Sequence, residues 1–173
     1  PSPEVSLRWR YEKSCEPRFT AARRNRRPYQ NISTFNILIP KGVAMEHPFD
    51  AAILRYGYED TLFGRQLEEA AVGVRHIDNP LLHLGLDSNA HFLEKTEEAM
   101  HTLYDLRERL AGQSRLLSVY GCLQRCRLTL PLCLAFRLVR PLLRRHLLGQ
   151  QPSVRLFNLY KLGLYASIAR KKL

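Results

Sequence analysis

Residues 32–39 read Ile-Ser-Thr-Phe-Asn-Ile-Leu-Ile, and Pro40-Lys41-Gly42 follows. β-branched and aromatic side chains dominate the run, and the Pro-Lys-Gly stop suits a turn. Together they predict a buried strand closed by that turn. The segments on the C-terminal side fit the same picture. Leu62, Phe63, Leu67 and Ala70 recur at helical spacing after Asp60, with Glu68 and Glu69 opposite, so a helix opens at Asp60 and stops at Gly73. Val72 to Ile77 reads as a short strand. Asp78-Asn79-Pro80 is a turn, and Leu81-Leu82-His83-Leu84 is another short apolar segment. Ser88 or Asn89 caps a longer helix through Phe92, Leu93, Thr96, Ala99, Met100, Leu103 and Leu106, ended by Gly112. On the N-terminal side, residues 1–30 are basic and weakly periodic, with a short helix expected around Ser14 to Arg24. Arg23, Arg24, Arg26 and Arg27 there form a solvated loop or a contact for phosphate or an acidic partner. Residues 28–112 thus order as strand, helix, two strands, helix, and the expected fold class is α/β.

Beyond residue 112 the character changes. Leu116 to Leu128, Leu130 to Leu148 and Val154 to Leu173 are Leu-rich and helical in pattern, with Pro131, Pro141, Gly149 and Pro152 as interruptions. Of the 27 Lys and Arg, 12 lie in residues 113–173, where there is no Asp or Glu. Residues 1–112 hold the other 15 and all 16 acidic groups, so the formal charge of +11 belongs to the tail. The expected domains are therefore a nearly neutral body, 1–112, and a basic amphipathic helical tail, 113–173. Arg137, Arg140 and Arg144 share one helical stripe, and Leu134, Leu138, Val139 and Leu142 lie elsewhere on the cylinder. Apolar bulk with Arg and no acid suits a helix lying in an anionic membrane interface. A basic hairpin packed on the body is the other reading. The longest uncharged tail run, Leu128 to Phe136, is far short of the ~20 residues of a bilayer span.

Composition narrows the classes further. Hydrophobic residues make up 45% and charged residues 25%, which is globular and not disordered. The four cysteines, Cys15, Cys122, Cys126 and Cys133, form no CxxC pair. They read as reduced thiols of a cytoplasmic protein and not as a zinc set or a disulfide framework. The first residues, Pro-Ser-Pro-Glu, do not open a secretory signal.

The chemistry concentrates in Tyr56-Gly57-Tyr58-Glu59-Asp60-Thr61-Leu62-Phe63-Gly64. Adjacent carboxylates stand at a loop-to-helix junction, after glycine and between aromatics. A helix cap is the plain reading. Mutual repulsion of the two carboxylates also suits one of them to general-base work.

This run resembles the ED motif of the family-2 glycosyltransferases, which have the GT-A fold. Asn31 to Lys41 is similar to that family's strand after the metal site, and Phe49-Asp50 to its "FD". His76-Ile77-Asp78-Asn79-Pro80 through His83-Leu84-Gly85-Leu86 is similar to its "HIDNP…HLGL" turn, followed by the helix with Asn89, Phe92, Leu93, Lys95 and Thr96. The resemblance covers roughly residues 5 to 110. It implies a partial GT-A fold followed by the basic helical tail. It also implies an inverting sugar transfer from a nucleotide-sugar donor to a saccharide or lipid-linked acceptor in cell-surface polysaccharide or glycolipid synthesis. Asp60 would be the catalytic base and Glu59 its support. Tyr56, Gly57, Tyr58 and Asn36 would contact substrate. His83 would approach a divalent metal, Mn²⁺ or Mg²⁺, with His76 as the rival for that place. Trp9, Tyr11 and Tyr29 are further candidates for stacking on sugars. The family's DxD motif is absent from the chain, so the expectation is an acceptor-side half, inactive alone and with an incomplete metal site. It would be peripheral on the inner face of the cell membrane, with no nucleic-acid partner. The alternative is a non-enzymatic basic module that binds anionic lipid or RNA. Of these two ligands, a Leu-dense tail without RNA-binding signatures favours lipid.

Overall fold

A computed structural model of the protein describes residues 2–51 and 53–172. Pro1, Ala52 and Leu173, which fall within the two expected domains, lie outside the described residues. The described residues form eight α-helices: α1 (Ser6–Cys15), α2 (Ala21–Arg24), α3 (Lys41–Glu46), α4 (Glu59–Glu69), α5 (Asn89–Asp105), α6 (Arg115–Arg125), α7 (Thr129–Leu147) and α8 (Val154–Lys171). Single 3-10 turns at Pro3–Val5 and Glu16–Arg18 flank α1.

There is no strand among the described residues. The expected α/β class is therefore corrected to all-helical, and with it the partial GT-A fold and the resemblance that implied it. Residues 32–39 run through a turn and a bend into irregular chain, and Lys41-Gly42 begins α3 instead of closing a hairpin. Residues 72–86 are likewise irregular. The physical reason is pairing. An extended segment stays a strand only when a neighbour takes its backbone donors and acceptors. Here side chains take some of them. The Asn25 amide donates to the His76 carbonyl at 2.9 Å and accepts from the His76 N–H at 2.8 Å, as a strand neighbour would. Asp78 accepts from the Ala21 N–H at 2.8 Å, and Asn36 donates to the Asn79 carbonyl at 2.9 Å. Part of the apolar surface of these segments stays outside, with Leu38 97%, Leu82 81% and Leu84 84% exposed, while Ile32 is buried against α4.

The helical elements from α4 onward follow their sequence signals more closely, whereas α1 occupies residues 6–15, ahead of the short helix expected around Ser14 to Arg24. Ser88 caps α5 by accepting from the His91 N–H, and Ser114 and Ser153 cap α6 and α8 in the same way. α4 starts at Glu59 and ends before Gly73. Ala71 takes the left-handed conformation at φ 53°, and the Val72 N–H returns to the Leu67 carbonyl at 2.9 Å.

The main core lies between α1, α5, α7 and α8, so residues from both sides of position 112 share it. Phe157 of α8 sits against Phe92 and Tyr11, each ring centroid 5.3 Å away. Phe136 of α7 meets Tyr160 edge-on at 5.5 Å, and the Tyr160 hydroxyl donates to Glu97 of α5. Buried Asn89 joins three segments. Its carbonyl oxygen accepts from the Leu7 N–H at 2.8 Å, and its amide donates to the carbonyls of Pro3 and Gly149. A smaller cluster of Ile32, Phe63 and Leu67 seats α4 on the 29–43 loop.

Two kinds of buried titratable group oppose each other in this core. Burial, reinforced by Arg18, pushes the Lys161 ammonium from its usual 10.5 down to about 8, against an opposing pull from Cys15. Between those values the unfolded chain holds more protons at this site than the folded one, so stability rises with pH. Burial, and then Tyr120, pushes the Tyr165 phenol up to about 12, and burial raises Tyr58 as well. Unfolded phenols ionise near 10, so above that pH the same linkage removes stability. Urea midpoints measured from pH 7 to 11 should rise above pH 8, peak between about 9 and 10, and then fall. A monotonic fall across that range would show that Lys161 is not buried as described.

Candidate functional site

Tyr58 makes the junction before α4. It stands at φ 68° in the left-handed region, after Gly57 at φ 99°, and its carbonyl accepts the Leu62 N–H at 2.9 Å. A side chain at Gly57 would meet Ala99 Cβ at 2.7 Å, so the turn passes tightly over α5. The Tyr56 backbone is tied to the same helix. Its N–H donates to Glu98 at 3.1 Å, and its carbonyl accepts from the Thr102 hydroxyl at 2.9 Å.

This anchoring sets the two carboxylates in the first turn of α4, where the helix N-terminus favours negative charge. Asp60 does not cap its own helix. Its carboxylate reaches across to Thr34, accepting the hydroxyl at 2.7 Å and the backbone N–H at 3.3 Å. Glu59 keeps one buried oxygen, Oε2, without a hydrogen-bond partner. Next to Thr34, the Phe35 ring lies 5.5 Å from the His83 ring, and His83 Nδ1 is 3.1 Å from Glu12 Oε1. Asp60, Thr34, Phe35, His83 and Glu12 thus form a continuous polar and aromatic chain of contacts across elements distant in sequence.

The other expected site residues separate from one another. The Tyr56 ring is 43% exposed, with the Lys95 ammonium 5.5 Å from its centroid. Tyr58 packs against the main core, where desolvation raises its phenol, so it offers little ring to a ligand. Asn36 holds Asn79 through its amide. Buried His76 makes a 2.7 Å contact with the Pro28 carbonyl and is structural. Of the remaining aromatics, Tyr11 is a core neighbour and Tyr29 packs on the small cluster, while Trp9 is 37% exposed.

His83 meets one carboxylate, that of Glu12. Among the described residues no group of three or more His, Cys, Asp or Glu side chains is placed to hold a metal ion. Among the described residues the donors present do not by themselves make the divalent site that the resemblance implied. Thr34 and Glu12 carry no signal in the sequence, because both join the site only through contacts distant along the chain.

Gly64 couples this site to the fold. A Cβ there would overlap the Tyr29 carbonyl oxygen and press on Ile32 at 3.3 Å. Overpacking of this kind costs about 1–3 kcal/mol, and the helix-propensity gain returns at most about 1 kcal/mol. Gly64→Ala should therefore lower stability in urea titrations and push the 29–34 loop, with Thr34, away from Asp60. An unchanged or raised midpoint would contradict the close approach.

No protein-family model matches the chain, and neither a curated protein nor a solved structure matches it. What is shown of its class is the fold alone, an all-helical protein.

Proposed function

We propose that the start of α4 and the loop facing it form the acceptor-binding side of a sugar-transfer site, with Asp60 as general base. The reading concerns this site and leaves the GT-A fold overturned. One observation carries it: a hydroxyl, that of Thr34, donates to the Asp60 carboxylate at 2.7 Å at an exposed edge. That is the contact a base makes with an acceptor hydroxyl before transfer. An acceptor that displaced Thr34 would donate in its place. Asp60 would take the hydroxyl proton as the acceptor oxygen bonds to the anomeric carbon. The bond from that carbon to the diphosphate breaks, and the nucleoside diphosphate leaves with inversion.

The surroundings suit a saccharide. Sugar hydroxyls need acceptors, and the Asp60 carboxylate at the exposed edge supplies them. The C–H faces of a sugar ring pack on exposed aromatic rings, and Phe35 next to Thr34 supplies one. His83 lies beside Phe35 with Nδ1 against Glu12, and Nε2 can hold a phosphate or hydroxyl oxygen. The test is transfer of labelled sugar from a panel of nucleotide-sugars to saccharide acceptors by the intact protein. No transfer with any donor, or transfer undiminished by Asp60→Asn, ends the reading.

A further inference from the structure

The outer face of α7 is unexplained by the fold. Phe136, Leu143 and Leu147 already pack α7 into the core. Leu130, Leu134, Leu138 and Leu142 recur every fourth residue on the other side and are 45%, 55%, 79% and 68% exposed. At 1.5 Å per residue that is an apolar line about 18 Å long. Arg137 and Arg144 flank it and Arg145 lies near its end, all exposed. Arg140, also exposed, pairs with Glu97 of α5 at 3.6 Å.

We propose that this face lies flat in the interface of a bilayer containing anionic lipid. The leucines would enter the acyl boundary while the arginines meet the headgroups, holding the chain peripherally on that surface. Three observations select this occupant. The stretch from Gln113 to Lys172 carries no acidic residue, so the charge around the leucines is of one sign and complements an anionic surface. A second copy would set the same arginines against each other, which is costly. An RNA strand would leave the leucines without a partner, and the outward line has no aromatic on which bases could stack. No helix among the described residues is long and apolar enough to cross the membrane, so a flat seat is the geometry this helix can use. The inference does not depend on the sugar-transfer reading.

The experiment is flotation of the full chain with phosphatidylcholine vesicles, with and without about one-third phosphatidylglycerol, across a salt series. Binding is expected only with the anionic vesicles and should weaken as salt rises. Leu134→Ser/Leu138→Ser/Leu142→Ser should reduce partitioning on the order of tenfold or more. Arg137→Gln/Arg144→Gln should reduce it by roughly tenfold at low salt. Circular dichroism of each variant checks that the helices remain. Equal binding to neutral vesicles, or full binding by the leucine variant, would overturn the proposal. So would a lipid-free dimer that the leucine variant dissolves, or RNA binding that the leucine variant leaves intact while flotation is absent.

Discussion

Phe157→Ala is expected to destabilise the protein by about 3–5 kcal/mol, a large part of the stability of an ordinary domain. Phe157 is 1% exposed and wedged between Tyr11 of α1 and Phe92 of α5, with the Lys161 ammonium 4.9 Å from its ring centroid. Two rigid rings from two other helices cannot both collapse into the space, so the cavity remains and the upper end of the range applies. The position also distinguishes two architectures. If α8 is part of the same core as α1 and α5, the substitution lowers the single unfolding transition of the whole chain. If the segment after residue 112 folds apart from the body, it lowers one of two transitions and leaves the other in place. Chemical denaturation followed by circular dichroism and by Trp9 fluorescence decides this, because Trp9 reports on α1 while most of the helical signal lies elsewhere. Coincident shifts support the shared core, and an unmoved Trp9 transition contradicts it.

Asp60→Asn is expected to reduce sugar transfer by the intact protein by about 10²- to 10⁴-fold, the range that a positioned general base contributes. The change is nearly isosteric, and the new amide carbonyl can still accept the Thr34 hydroxyl. What it loses is the capacity to take a proton. Stability should shift little, because the contact is exposed and only one helix-terminal charge is removed. Thr34→Ala provides the complement: it frees the carboxylate without removing it and should leave transfer intact or raise it. Loss of transfer in Thr34→Ala with full retention in Asp60→Asn would reverse the assigned roles.

Much of the helical layout is legible in residue spacing. The periodic apolar positions of α4 and α5, the serine before α5, and the Leu-rich runs of α6 to α8 each act within a turn or two of the chain. Such local signals survive whatever the tertiary context. The misread segments are 32–39 and 72–84. Their β-branched, apolar composition is real, but a strand is a relation between two segments, and composition names only one of them. In the folded chain the partner for part of 72–79 is the Asn25 side chain, which no periodicity could reveal.

The site divides in the same way. Glu59 and Asp60 stand out in sequence because adjacent carboxylates after a Gly-containing aromatic turn are locally unusual. Their use depends on the direction of each side chain, and that follows from a left-handed Tyr58 held over α5 and from Thr34 arriving from the 32–39 loop. His83 stands out as a lone imidazole, yet its neighbours Phe35 and Glu12 come from elsewhere in the chain.

By itself, then, the sequence determined the quantities that add up along a chain: the +11 charge and its confinement to residues 113–173, the helices from α4 to α8, and the presence of a carboxylate pair. Tertiary structure alone decided the quantities that require two distant segments to meet. It left the apolar runs unpaired, joined α8 to α1 and α5 in one core, set a hydroxyl on Asp60, and turned Phe136, Leu143 and Leu147 of α7 inward while Leu130, Leu134, Leu138 and Leu142 faced out. The physical reason is that charge and helical periodicity are properties of local chain, whereas pairing, burial and side-chain direction exist only between parts that folding brings together.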